Sequence, residues 1–358
     1  MKHAMPLGRK IAITGAVTAL ALVGFWLYRQ SAASRVEPPV ELVRTLPPDA
    51  TTVIYLDLAA LRQSPMLASL RALAPSPQAD AEYAEFVRET GFDYERDLDR
   101  AAIATVVRGG TRILFAVADG RFDARKITAQ ALRTGTRETR GGREIFTAPI
   151  SGSARKITFA FLKKDRIALT DGGDLGPLFS ALAARPADGE LEERALRLAG
   201  SPVFAVLHPE PGTLAALAAR IPGGLRSEQL VALAGSLRWI TLAARPEGEQ
   251  TRIVVEGEAL SEDAPRQLAG LLENLLLLAR LALDDPKARA RLDPAERAAL
   301  VETLKSADVS RLDRGDTKAV RLMLFAGPGL LAALQDATPH ATAVAPLPAT
   351  SGATAHRP

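Results

Sequence analysis

Residues Ala101–Ala118 read AAIATVVRGGTRILFAVA. Two apolar runs, Ala101–Val107 and Arg112–Ala118, flank Arg108-Gly109-Gly110-Thr111. Valine, isoleucine and threonine suit a pleated surface, and a Gly-Gly pair supplies the positive φ that a tight turn between antiparallel strands needs. The stretch predicts a β-hairpin. Working outward, Thr51–Leu58 (TTVIYLDL) is a strand ahead of it. Ser64-Pro65 then caps a short helix, Met66–Leu73, and a second helix runs from Asp80 to Thr90 and ends at Gly91. Behind the hairpin, Asp123 caps a helix carrying Ile127, Ala131 and Leu132 on one side. Strands follow at Arg143–Pro149, Lys156–Leu162 and Arg166–Thr170, with a short helix over Leu175–Ala183.

The order then begins again. Val203–Leu207 is a strand, and helices follow around Thr213–Arg220 and Ser227–Ala234. Arg238–Ala244 and Thr251–Glu258 form a hairpin around Pro246-Glu247-Gly248. A long helix runs from Ser261 to Leu283, and Asp293-Pro294-Ala295-Glu296 opens another with cap, proline and glutamate in place. Val309–Leu312 and Ala319–Phe325 make a last hairpin before a short helix at Leu330–Leu334. Hairpins mixed with helices predict an α+β fold of mainly antiparallel sheet, and the shared order predicts two similar tandem units, residues 47–198 and 199–335. Leu169…Gly176-Pro177-Leu178 echoes Leu324…Gly327-Pro328 across them.

At the N-terminus, Ile11–Tyr28 (IAITGAVTALALVGFWLY) holds 18 residues without a charge. At about 1.5 Å per residue it spans about 27 Å, the thickness of a hydrocarbon core. Leu20 lies mid-run, Phe25, Trp26 and Tyr28 gather at its far end as an aromatic belt would, and Lys2, Arg9 and Lys10 precede it. The positive-inside rule keeps residues 1–10 in the cytoplasm and exports the remainder, a single-pass inner-membrane topology. The small residues Ser31-Ala32-Ala33 leave a cleaved signal peptide open beside an uncleaved anchor, and either exports the body. Residues 29–46, broken by Pro38 and Pro39, read as a linker, and 336–358, rich in Ala, Thr and Pro, read as a disordered tail.

Composition excludes much chemistry. There is no cysteine, so disulfides, thiolate metal sites and a cysteine nucleophile are ruled out. The net charge is +4, and the four cations flanking the apolar run account for all of it. A body of zero formal charge does not predict nucleic-acid binding. His208 is the sole histidine between linker and tail, so a histidine-pair metal site is not expected, nor is any cofactor. Ser153-Ala154-Arg155-Lys156 matches a Ser-x-x-Lys motif but reads as a turn feeding a strand. Asp93, Glu95, Asp97 and Asp99 resemble calcium ligands in spacing, without the glycine or closing glutamate, and read as a solvated polar turn.

The long helix stands out. Leu268–Leu283 (LAGLLENLLLLARLAL) carries nine leucines around most of its circumference. It reads either as a core helix wrapped by sheet or as the wall of an apolar groove, lined by Leu268, Leu271, Leu272, Leu275 and Leu278.

LPPDATTVIYLDLAALRQSP (residues 46–65), TGFDYERDLD (90–99), VADGRFDARKI (117–127), GGREIFTAP (141–149) and FAFLKKDRIALTD (159–171) resemble an uncharacterised family of exported, membrane-anchored bacterial proteins. The resemblance covers about residues 46–183 and implies an envelope location and a repeated α+β body. It implies no activity. The expected function is thus a tethered periplasmic binding or scaffold protein, non-enzymatic, whose partners are inner-membrane lipid through its N-terminal helix and an envelope protein or apolar ligand. The alternative is an envelope hydrolase using paired carboxylates, with Asp57, Asp119 and Asp171 as candidates at strand ends.

Overall fold

A computed structural model describes residues 39–64, 81–150, 155–183, 189–209, 235–286, 293–315 and 317–330. The elements are α1 (Pro39–Arg44), β1 (Thr52–Asp57), α2 (Leu58–Leu61), α3 (Ala81–Thr90), α4 (Tyr94–Asp97), β2 (Leu98–Arg108), β3 (Thr111–Gly120), α5 (Ala124–Ala131), β4 (Thr136–Arg140), β5 (Arg143–Pro149), β6 (Lys156–Lys163), β7 (Arg166–Thr170), α6 (Gly176–Ala183) and α7 (Glu190–Arg197). They continue with β8 (Val203–Leu207), β9 (Leu237–Glu247), β10 (Gln250–Ala259), α8 (Ala264–Asp284), α9 (Pro294–Ser306), β11 (Asp308–Arg314) and β12 (Thr317–Ala326). The fold is α+β around a large antiparallel sheet.

The opening hairpin forms as expected, with Gly109 at φ 56° and Gly110 at φ 76° between β2 and β3. The twelve strands make one sheet in the order β11-β12-β10-β9-β8-β1-β2-β3-β7-β6-β5-β4. Its centre is the antiparallel pair β1–β8, in register from Thr52↔Leu207 to Leu56↔Val203. Outward from that seam, one side meets β1, β2, β3, β7 and β6, and the other meets β8, β9, β10, β12 and β11. The first side then adds β5 and β4.

Alternate residues of each strand face opposite sides. On one side Val53, Tyr55, Ala102, Ala104, Phe115, Val117, Phe204 and Val206 are buried with Leu42 and Val43 of α1, Leu178 of α6 and Ala195 of α7. On the other side Ala101, Ala118, Phe146, Phe159 and Ile167 meet Leu58 and Leu61 of α2, Tyr94 of α4 and Ile127 of α5.

Two sequence expectations change. The linker does not run to Leu46. Val40, Leu42, Val43 and Leu46 are all buried, so the folded body includes α1. Pro39 is that helix's first residue, where its missing N–H costs nothing, so the proline starts structure rather than breaking it. The acidic turn is also not simply solvated. Asp93 accepts from Glu95 N and caps α4, Asp97 pairs with Arg96 and Arg121, and Asp99 pairs with Arg62. Burial pulls the Asp97 carboxyl up, but the hydrogen bond from Arg96 and the contact from Asp93 N outweigh it and hold it below the usual aspartate range.

β4 (TRETR) was not expected, and every residue in it is exposed. It forms one rim of the sheet, and β11 forms the other. The anchor residues Ile11, Leu20, Phe25, Trp26 and Tyr28, the helices expected at Met66–Leu73, Thr213–Arg220 and Ser227–Ala234, and the tail 336–358 lie outside the described residues. Among the described residues no helix is long and apolar enough to cross a membrane.

Candidate functional site

The site is α8 and what holds it. The helix begins at Ala264, three residues after the expected start at Ser261: Asp263 stands at the N-cap without a side-chain cap bond, Ser261 Oγ accepts from Ala264 N at 3.3 Å, and Pro265 sits in the first turn. Only the first two turns enter the core. Ala264, Pro265, Leu268 and Ala269 are buried. Leu268 and Ala269 pack with Val320 of β12, against Leu237, Leu272 and Val309.

Past Leu272 the helix leaves this cover. At about 100° per residue, Leu271, Leu272 and Leu275 stay near the azimuth of Leu268, whereas Leu277 points opposite. Leu277, Leu278 and Leu281 are 53%, 56% and 57% exposed. Three neighbouring leucines at spacings i, i+1 and i+4 thus form one apolar stripe facing solvent.

The stripe is held rigidly by α9. Asp293 accepts from Ala295 N at 2.8 Å, and Glu296 accepts from Asp293 N at 3.2 Å, the expected capping box. Arg297 of α9 donates to Leu283 O at 2.7 Å and to Asp284 at 2.9 Å, at the end of α8. Arg280 of α8 donates to Leu304 O at 2.6 and 3.2 Å, near the end of α9. Each helix supplies an arginine to the other's last carbonyls, where both hydrogen bonding and the helix dipole favour a cation.

Of the five leucines expected to line a groove, Leu268, Leu271, Leu272 and Leu275 share the sheet-facing side of α8, and Leu278 stands apart from them. Leu268 is core, Leu271, Leu272 and Leu275 are half-buried, and Leu278 is on the outside. A cavity of about 610 Å³ does lie beside α8, but it is lined by Pro265, Arg266, Ala269, Glu273, Val309 and Arg311 among others, and none of the five leucines borders it. Its rim mixes both charge signs. The outer stripe adds Leu277 and Leu281, which the leucine pattern could have revealed had the helix been divided into faces.

The candidate carboxylates are committed elsewhere. In register, Asp57 faces Arg100, Arg100 faces Asp119, and Asp119 faces Arg166, a ladder of alternating charge across β1, β2, β3 and β7. Asp119 accepts from Arg100 at 3.0 Å and from Arg166 at 2.6 and 3.0 Å. Asp57 accepts from Ala60 N at 2.8 Å and caps α2, while burial pushes its pKa up. Asp171 follows the opposite end of β7, accepting from Leu114 N at 2.8 Å and pairing with Arg155 at 3.3 Å. The three do not converge on one cleft. His208 lies edge-on to Trp239, ring centroids 5.1 Å apart. Among the described residues no cluster of His, Cys, Asp and Glu could hold a metal ion.

One buried joint was missed in the sequence. Glu258 of β10, 2% exposed, accepts from Arg194 Nε at 2.9 Å and also pairs with Arg197, both on α7. The Arg194 guanidinium lies 4.7 Å from the centre of the Trp239 ring, whose Nε1 donates to Glu190 at 3.0 Å. These contacts tie α7 to β9 and β10. Their partners lie far apart in sequence, so no local pattern announces them.

No family model matches the chain, and no curated protein matches it. Among solved structures, crystal form III of TP0453 aligns with a TM-score of 0.45 at 10% identity, over 85% of this chain and 100% of that one. Crystal form I of TP0453 aligns with a TM-score of 0.41 at 9% identity, over 85% and 98%. Likeness at this level carries no argument about function.

Proposed function

We propose that this chain is a membrane-tethered extracytoplasmic protein with a non-catalytic body, which binds or scaffolds a protein or apolar ligand through the outer leucine stripe of α8. The tether rests on the uncharged run Ile11–Tyr28 with Lys2, Arg9 and Lys10 on one side of it, which favours a cytoplasmic N-terminus and an exported body. The binding role rests on one observation: Leu277, Leu278 and Leu281 are more than half exposed on a helix whose end is fixed by Arg280 and Arg297. Clustered exposed leucines mark interaction sites. Commitment of Asp57, Asp119 and Asp171 to caps and arginines weighs against carboxylate hydrolysis.

The body reads as two similar units joined at β1–β8. In support, the same offset in number separates Thr52 from Val203, Arg166 from Thr317 and Gly176-Pro177 from Gly327-Pro328. The mirrored strand order about the seam agrees with it. On this reading α8 and α9 stand where the first unit has α5, β4 and β5.

A reporter enzyme that folds only outside the cytoplasm, fused after Pro358, should be active in cells. Activity confined to a cytosolic reporter would overturn the tether. In the full chain, Leu278→Glu should abolish recovery of whatever cross-links to α8 in intact membranes, and undiminished recovery would remove the stripe as the binding surface.

A further inference from the structure

We propose that β11, the outermost strand on the α8 side of the sheet, takes an extended peptide from another protein as a thirteenth strand, with alternate side chains of the peptide entering the cavity between β11 and α8. This surface is separate from the leucine stripe and does not depend on the tether.

Among the described residues β11 pairs with β12 alone, so its other edge is open. The turn decides which residues face outward. Arg314 pairs with Thr317, and two residues separate them. In such a hairpin the closing pair exchanges both backbone hydrogen bonds, and bonding then alternates along the strand. Arg314, Leu312, Ser310 and Asp308 therefore turn their N–H and C=O groups to β12. Val309, Arg311 and Asp313 turn theirs away from it.

The side chains of those three residues share one face of the sheet. It is the face that α8 covers: Val309 packs beside Leu268 and Ala269, and all three residues border the cavity of about 610 Å³ together with Pro265 and Ala269 of α8. Pockets of about 300–1,000 Å³ hold small ligands, so this one has room for several side chains. Strand addition draws affinity from backbone bonds and specificity from pockets for alternate side chains. β11 offers both along one line. β4, at the opposite edge, is exposed along its whole length and offers no wall.

Charge names the partner. Arg311 is exposed and, among the described residues, has no ion pair, and the same holds for Glu262 and Glu273 in the cavity wall. Asp313 pairs with Lys318 at 2.6 Å. In an antiparallel addition the peptide residues opposite Asp313, Arg311 and Val309 follow one another in that order at every second position, on the α8 face. Their matching side chains are basic, acidic and apolar. A second copy of β11 does not match: paired antiparallel about Arg311, it sets Arg311 against Arg311 and Asp313 against Val309. The partner that fits is an extended segment reading basic-x-acidic-x-apolar.

The test titrates full-length chain in detergent micelles into fluorescein-labelled peptides and reads anisotropy. The probe TKTETVT carries the pattern, and TKTKTVT changes only the residue opposite Arg311. Wild type should bind the first about fivefold more tightly, and Arg311→Glu should reverse the preference. Methylating the glutamate nitrogen of the first peptide, which faces β11, should abolish binding, whereas methylating the nitrogen of the threonine before it, which faces away, should change little. Equal binding of the two peptides by wild type, or a preference that Arg311→Glu leaves unchanged, overturns the proposed register. Equal tolerance of both methylations overturns strand addition. No saturable binding of TKTETVT by wild type at millimolar peptide overturns the proposal altogether. A chain that dimerises as its concentration rises, and loses peptide binding as it does so, assigns the edge to a second copy and overturns it too.

Discussion

Replacing Phe204 with alanine should destabilise the two sides of the sheet together. Phe204 and Tyr55 are register partners across the β1–β8 seam, and both are 0% exposed. Their rings stack with centroids 4.9 Å apart and planes 19° from parallel. Removing a fully buried phenylalanine costs about 3–5 kcal/mol, through lost burial and the cavity left behind. Strands on both sides limit how far that cavity can collapse, so the cost should be about 4 kcal/mol. At about 2 °C per kcal/mol for a body this large, Tm should fall by about 8 °C. The assay is denaturant unfolding of the full chain in detergent, with Trp239 fluorescence reporting β9 and amide exchange reporting β2 and β3. Both probes should move by the same amount. A shift confined to Trp239 would mean that the seam does not couple the two sides, and a loss below about 1 kcal/mol would mean that the ring is not buried as described.

Two further predictions concern buried charge. Glu258→Gln leaves Arg194 and Arg197 facing a neutral group in a buried site, and should cost about 3 kcal/mol or more by denaturant unfolding; a change near zero would refute the ionic joint. Burial raises the Glu256 carboxyl, but hydrogen bonds from Arg314 and Arg321 outweigh this and hold it below the ordinary glutamate value of 4.5. Its contribution is therefore fully present above that pH and is lost as pH falls through the depressed folded value. Unfolding midpoints measured down an acid series should show Glu256→Gln flattening the acid limb relative to wild type, and an unchanged limb would refute the pairing.

Local chemistry made much of the fold readable. Gly109-Gly110 announced the β2–β3 turn, Asp293 with Glu296 announced α9, and the runs at Arg143–Pro149, Arg166–Thr170 and Val203–Leu207 became β5, β7 and β8 as expected. β4 was invisible because a strand at a rim, wet on both faces, needs no apolar alternation. α1 hid behind Pro38-Pro39. The pairing of β1 with β8 depends on residues about 150 positions apart, and no periodicity reports such a contact. For α8, composition identified the helix and its capacity for apolar contact. It did not say where the sheet stops covering it, because that depends on the width of the β10-β12-β11 layer beneath.

The rims of this open sheet carry a consequence of their own. A ladder of unpaired backbone groups invites the next molecule to continue it, and crowding multiplies the invitation. On one rim β4 presents Arg137, Glu138 and Arg140, all exposed; on the other, β11 presents Asp308, Arg311, Asp313 and Arg314. A newcomer would have to strip water from those charges before gaining its first backbone bond. Growth into fibrils is thereby discouraged at both ends, and neighbouring molecules can be packed densely while remaining separate.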